Sequence, residues 1–356
     1  MSISQLSLTD FRNLNSATLE FHPKINLITG GNASGKTSLL ESIHVLCQAC
    51  SFRTHQLKQC IAHGKPNFLL FGRFGGYKAG LSKSDAKLEI RINGEPIRKR
   101  SVLVSKTPVK IVNTDSFNLI SGLPQERRKY LDWCLFHVEH QYTQHWVEFK
   151  HALRQRNRLL RSRQDLNLLD YWNEYLVGPS LAINNYRKRY VHLISAQLAG
   201  QLPRLLEEVQ ITLDYVQGWP EQQDLNQCLQ DSRANDIKSG FTGYGIHRDN
   251  LKILADGLPA AQVLSRGQLK RLCLAMIVSV LKIVRAKSSK PIILLIDDLR
   301  SELDEKSQQN IYRQLMDIDL QLFISNIEDQ VPAPLQEKEF KMIHVEHGII
   351  KTRKIN

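Results

Sequence analysis

The sequence predicts an α/β protein: a phosphate-loop head into which a helical arm is inserted. Three observations carry this expectation. An apolar run, Ile25 to Ile28, leads into a glycine-rich segment, after which Leu39, Leu40, Ile43 and Leu46 recur at helical spacing. A second apolar run, Ile292 to Ile296, ends in Asp297-Asp298. Between the two, Leu131, Cys134, Leu135, Val138, Tyr142, Trp146, Phe149, Leu153 and Leu160, and later Ile183, Val191, Ile194 and Leu198, follow the 3.6-residue period of helices buried along one face.

The glycine-rich segment is Gly30-Gly31-Asn32-Ala33-Ser34-Gly35-Lys36-Thr37, in the Walker A spacing G-x-x-x-x-G-K-[ST]. Glycines let backbone N–H groups turn inward around a polyphosphate, Lys36 reaches the β and γ phosphates of ATP, and the Thr37 hydroxyl is placed to ligate Mg²⁺. The helix that starts here adds its dipole to the anion site. At the far apolar run, a carboxylate at the carboxyl end of a buried strand is the Walker B arrangement: Asp297 holds the Mg²⁺ shell and Asp298 orients the attacking water. Just before that strand, Leu264-Ser265-Arg266-Gly267-Gln268 opens a helix, with serine as N-cap and free N–H groups forming a second anion site. Arg12, at a turn near the N-terminus, is a candidate contact to phosphate or base.

In chain order, Ile3, Leu6 and Leu8 and then Ala17 to Phe21 read as two short strands around the polar turn Thr9 to Asn13. Asn67 to Phe74 and Leu88 to Ile92 alternate apolar and polar side chains, and Asn93-Gly94 is a tight-turn dipeptide, so antiparallel hairpins cover the nucleotide lobe. Gly75-Gly76 and the Lys/Ser-rich piece 82–87 read as loops. After the strand Val109 to Val112 the character becomes helical. The expected domains are a discontinuous head, 1–114 and 216–356, and an arm, 115–215.

A length of 356 residues favours two domains. No apolar run approaches the roughly 18 residues a membrane helix needs, so a cytoplasmic protein without a membrane partner is expected. A formal charge of +13 selects polyanions as partners, nucleic acid first. The arm carries much of this charge, in Arg154, Arg156, Arg158, Arg161 and Arg163 and in Arg187-Lys188-Arg189, so a DNA backbone is expected along it. Cys47, Cys50, Cys60 and His63 can be written as four zinc ligands, but their spacing matches no common zinc module, and the six cysteines read as reduced core or surface thiols.

The order of Gly30 to Thr37, Leu264 to Gln268, Asp297-Asp298 and Ser301-Glu302-Leu303-Asp304 resembles the ABC-type ATPases of the SMC and recombination-repair branch. Within that branch, Gly243-Tyr244-Gly245-Ile246-His247-Arg248-Asp249-Asn250, the Ser265-Arg266-Gly267-Gln268 signature and Arg127-Arg128 before Leu131-Asp132 are similar to the RecF family. The resemblance implies that Gly30, Gly35, Lys36 and Thr37 bind ATP and magnesium, that Asp297 holds the metal, and that Asp298 replaces the usual catalytic glutamate. It implies that Ser265 and Gly267 touch the γ-phosphate on a second subunit, giving an ATP-dependent homodimer. It further implies binding to single-stranded, gapped or junction DNA, cooperation with RecO and RecR, help in loading RecA at single-strand gaps, a part in the SOS response, and weak ATPase activity. Two other readings compete. A non-hydrolysing ATP-binding DNA scaffold would have the same charge and motifs, whereas a transporter-type ATPase is disfavoured by the basic arm and the absence of coupling features.

Overall fold

The structure, a computed structural model, describes residues 2–204, 206, 209–299, 303–327 and 331–353. In chain order, β1 (Ile3–Thr9), β2 (Ala17–Glu20) and β3 (Ile25–Thr29) lead into helix α1 (Lys36–Gln48). Strands β4 (Asn67–Phe74), β5 (Tyr77–Ser84), β6 (Leu88–Ile92) and the two-residue β7 (Glu95–Pro96) follow, then α2 (Arg100–Val104) and β8 (Val109–Val112). Helices α3 (Asn118–Ser121), α4 (Pro124–Val138), α5 (Tyr142–Ser162) and α6 (Leu169–Ala199) come next. Beyond them lie β9 (Ile211–Val216), α7 (Leu225–Asp231), α8 (Arg233–Ser239), β10 (Asn250–Ala255), β11 (Leu258–Pro259) and α9 (Ala260–Val263). The chain ends through α10 (Arg266–Lys287), β12 (Ile292–Asp297), α11 (Glu305–Met316), β13 (Leu320–Asn326), β14 (Lys341–Glu346) and β15 (Ile349–Arg353).

Two compact units result, Met1–Ser116 with Arg285–Asn356, and Phe117–Val284. The second extends past the arm expected at 115–215, since it also takes in α7 to α9, β10, β11 and most of α10.

The first unit has two sheets. One is antiparallel, ordered β2-β1-β4-β5-β6-β7, and the other is ordered β15-β14-β3-β13-β12-β8, parallel except for its β15 edge. Every residue of β3 and of β13 is buried, as befits central strands covered on both faces, whereas β4 buries alternate residues and so has one face outward. Helix α1 packs against strands of both sheets and buries twelve of its thirteen residues, Thr37 being the exception. Gln321 joins the sheets: its amide accepts from the Ile3 N–H and donates to the Ile3 carbonyl, both at 2.9 Å, so a buried side chain stands in for a ladder partner. The strand Tyr77–Ser84 occupies a stretch expected to be partly loop. Ala79 and Leu81 point inward there and pair across to β4 and β6, while its glycine and lysines lie outside the core pattern.

In the second unit the helical periodicity read from Leu131 to Leu160 is broken at Glu139, whose extended backbone separates α4 from α5. Pro124 occupies the first turn of α4, where a missing N–H costs nothing. Strands β11-β10-β9 form a small antiparallel sheet beside these helices.

Candidate nucleotide site

Strands β3, β13 and β12 lie side by side and parallel, with Ser325 opposite Asp297 and Asn326 opposite Thr29. Their carboxyl ends therefore deliver the phosphate loop, Ser325 and Asp297 to one sheet edge, where ligands of open α/β sheets bind. Gly30 and Gly35 have φ of 145° and 118°, values that exclude other residues. A Cβ on Gly30 would lie 2.1 Å from the Val345 carbonyl oxygen, so β14 forms the floor of the loop. The Ser34 carbonyl accepts from the Gly348 N–H at 2.9 Å, which ties the loop to the turn after β14. Gly31, Asn32 and Ala33 form an exposed crest, with Ala33 at a φ of 60°. Ser34, Gly35 and Lys36 are buried beneath it.

The Lys36 ammonium donates to the carbonyls of Gly30 and Gly31, both at 2.7 Å. Burial pulls its pKa below the ordinary lysine value, against the opposing pull of Asp298 and Asp297. The Thr37 hydroxyl lies 2.9 and 3.1 Å from the two Asp297 oxygens. The Ser325 hydroxyl donates to Asp297 at 2.7 Å and accepts the Asp298 N–H at 3.0 Å. Asp298 itself has a left-handed φ of 50°, which turns the chain sharply after Asp297. One hydroxyl and one carboxylate, both partly exposed, are the hard oxygen donors that Mg²⁺ takes beside phosphate and water, so Thr37 and Asp297 fit that ion.

No motif in the sequence singles out Ser325, and two other supports of the site were equally unmarked. Asn13 accepts from the Ser38 hydroxyl at 2.8 Å, holding the first turn of α1. Thr29 and His344 face each other at 3.2 Å across β3 and β14, a strand that no alternation in the sequence had marked.

Arg12 is held beside α1. Its guanidinium donates to both Glu41 oxygens, at 2.9 and 2.7 Å, and to the Gln59 carbonyl at 2.7 Å. Glu41 is fully buried and also accepts from Ser51 at 2.5 Å. Among the thiols, Cys47 is in the core on α1 and Cys60 points at Glu41, 3.5 Å away.

In the second unit, Ser265 and Gln268 cap α10 reciprocally. The Gln268 side chain accepts the Ser265 N–H at 2.9 Å, and the serine hydroxyl accepts the Gln268 N–H at 3.3 Å, a capping box. Ser265, Arg266 and Gly267 are exposed, and open space lies where a Gly267 side chain would be. Ser301 and Glu302 lie outside the described residues. The Gly243–Asn250 segment meets the other quoted motif directly: Arg127 donates to the Asn250 side chain at 2.9 Å and Arg128 to the Asp249 carbonyl at 2.5 Å. Burial pushes the His247 imidazole down to about 4, and its Nε2 lies 3.0 Å from the Thr242 carbonyl.

Two arginines of the expected DNA-binding rows are not at the surface. Arg187 is completely buried and paired with Asp249 and Asp132, and Arg156 is completely buried and paired with Asp236 at 2.7 Å. Charge counting along a helix does not separate these from Arg154, Arg158, Arg161 and Arg163, which are exposed.

The RecF/RecN/SMC N terminal domain family matches residues 2–351. The DNA replication and repair protein RecF of Shewanella woodyi is 35% identical, with 98% of each chain covered, and that of Shewanella halifaxensis is 34% identical over the same shares. Among solved structures, the recombination mediator protein RecF bound to ATPrS, from the RecFOR pathway, matches with a TM-score of 0.86 at 25% identity, covering 99% of this chain and 98% of that one. The Smc head bound to the C-winged helix domain of ScpA matches at a TM-score of 0.62 and 16% identity, over 100% and 98%, a likeness of fold alone. Among the described residues no helix is long and apolar enough to cross a membrane.

Proposed function

Because the chain belongs to the RecF family of DNA replication and repair proteins, we propose that it is an ATP-controlled DNA-binding switch acting in the cytoplasm at single-strand gaps. The observation that carries this reading is the convergence of Thr37, Asp297 and Ser325 beside the phosphate loop. ATP lies with its phosphates in the cradle of Gly30 to Thr37, and the Lys36 ammonium exchanges the Gly30 and Gly31 carbonyls for phosphate oxygens. Thr37 and Asp297 hold Mg²⁺, which offsets phosphate charge when bound. Asp298 orients the attacking water. An aspartate is one methylene shorter than glutamate and holds that water less closely, so turnover is slow and ATP works as a switch.

The exposed, capped start of α10 offers its N–H groups to the γ-phosphate bound by a second copy, so that two chains close around shared ATP. The related structures come from the RecFOR pathway, and on this chain we extend that to cooperation with RecO and RecR, help in loading RecA, and a part in the SOS response.

Mixing Lys36→Met and Ser265→Arg proteins tests the arrangement. Each alone stays monomeric with ATP in sedimentation velocity, while the mixture regains one of two composite sites and forms ATP-dependent heterodimers. A mixture that stays monomeric excludes closure in trans.

A further inference from the structure

On the DNA-binding reading just given, we propose that the face shared by α5 and α6 is a stacking platform for the unpaired bases of single-stranded DNA. Tyr171 and Tyr175, one turn apart on α6, are 53% and 51% exposed, their centroids are 5.6 Å apart and their rings are tilted by 34°. Trp172 lies between them, 5.1 Å from Tyr171 and 5.9 Å from Tyr175, and the edge of His151 on α5 braces it at 5.4 Å. A helix that leaves two tyrosines half open beside a tryptophan presents π-faces to solvent.

Charge selects the occupant. His151, Arg154 and Arg158 fall three and seven residues apart and so share one side of α5. Arg154 and Arg158 are exposed, and neither has a hydrogen-bond or ion-pair partner among the described residues. Of the acids nearby, Asp170 is paired with Arg233 at 3.2 Å and Glu148 lies 3.6 Å from His145, leaving Asp165 and Glu174 as the exposed exceptions. A row of unpaired guanidinium groups beside open aromatic rings matches a strand that offers phosphates and bases side by side. Duplex DNA offers only the phosphates, because its bases are stacked on one another.

The test is fluorescence anisotropy with a labelled oligo-dT and a labelled duplex of equal length, using full-length protein. Tyr171→Ala/Tyr175→Ala is expected to weaken oligo-dT binding by roughly tenfold or more, with duplex affinity and ATP binding unchanged. Tyr171→Phe/Tyr175→Phe keeps the rings and restores oligo-dT binding. An unmoved oligo-dT affinity, an equal loss on both DNAs, or a phenylalanine variant as weak as the alanine one overturns the proposal. So does an alanine variant that loses a protein partner while holding oligo-dT normally. A wild-type protein that binds neither DNA overturns the functional reading as well, whereas intact duplex binding with an unmoved oligo-dT affinity removes the platform alone.

Discussion

Glu41 shows how much one buried charge determines. Burial pushes its carboxyl up, but the hydrogen bonds from Arg12 and Ser51 and the charges of Arg12 and Arg53 outweigh that and hold it below the ordinary carboxylate value. A carboxyl lowered by folding stabilises the protein above its unfolded pKa, near ~4.3, and that contribution is lost as pH falls below this value and the folded group takes up its proton. Glu41→Gln is therefore expected to cost about 3 kcal/mol at pH 7, since it leaves Arg12 without its partner, and to show a smaller loss on acidification than the wild type; thermal melts across pH 3.5 to 7 read both. Asp298→Asn is expected to reduce ATP turnover by at least tenfold while ATP binding persists. Phosphate-release assays check this: unchanged turnover would remove Asp298 as the water-orienting group, and no turnover in the wild type would favour a scaffold that does not hydrolyse. At this scale motif spacing singled out Lys36, Thr37 and Asp297, and the structure places the Thr37 hydroxyl on Asp297 and the Lys36 ammonium on the loop's own carbonyls. It was silent on pairing: Arg12, Arg156 and Arg187 look like any surface arginine until Glu41, Asp236 and Asp249 are seen against them, and those partners lie 29 to 80 residues away in the chain.

Among the elements, the long helix α6 contains an internal proline, Pro179. There it removes an N–H that would bond the Tyr175 carbonyl and crowds that oxygen. Pro179→Ala is expected to raise unfolding free energy by about 1 to 3 kcal/mol, measured by urea titration, and no gain would mean that the local backbone is already adapted to the ring. Elements with strong periodicity or full burial, such as β3, β12, α5 and α10, were readable because one face or the whole segment is apolar. Strands such as β5, β9 and β14 were missed because they carry lysines, glycine or alternating polar residues, and a neighbouring strand supplies the ladder that holds them. The limits of the helical part were equally hard to place. A compact unit is defined by contacts between distant segments, and 3.6-residue spacing says nothing of where β10 returns to pack on α4.

The whole molecule carries +13. If phosphates supply the attraction, DNA affinity falls on the order of a thousandfold between roughly 50 and 200 mM salt, with the slope of log affinity against log salt counting the contacts. An affinity that stays flat over that range contradicts a charge-driven grip.

The nucleotide loop is made early in synthesis, yet the backbone oxygen that shapes it belongs to Val345, and β3 is flanked only by β13 and β14. Without β13 and β14 the central strand β3 loses both neighbours and Gly30 loses the oxygen beneath it, so a chain truncated before Leu320 is expected to lose nucleotide binding although Gly30 to Thr37 are intact.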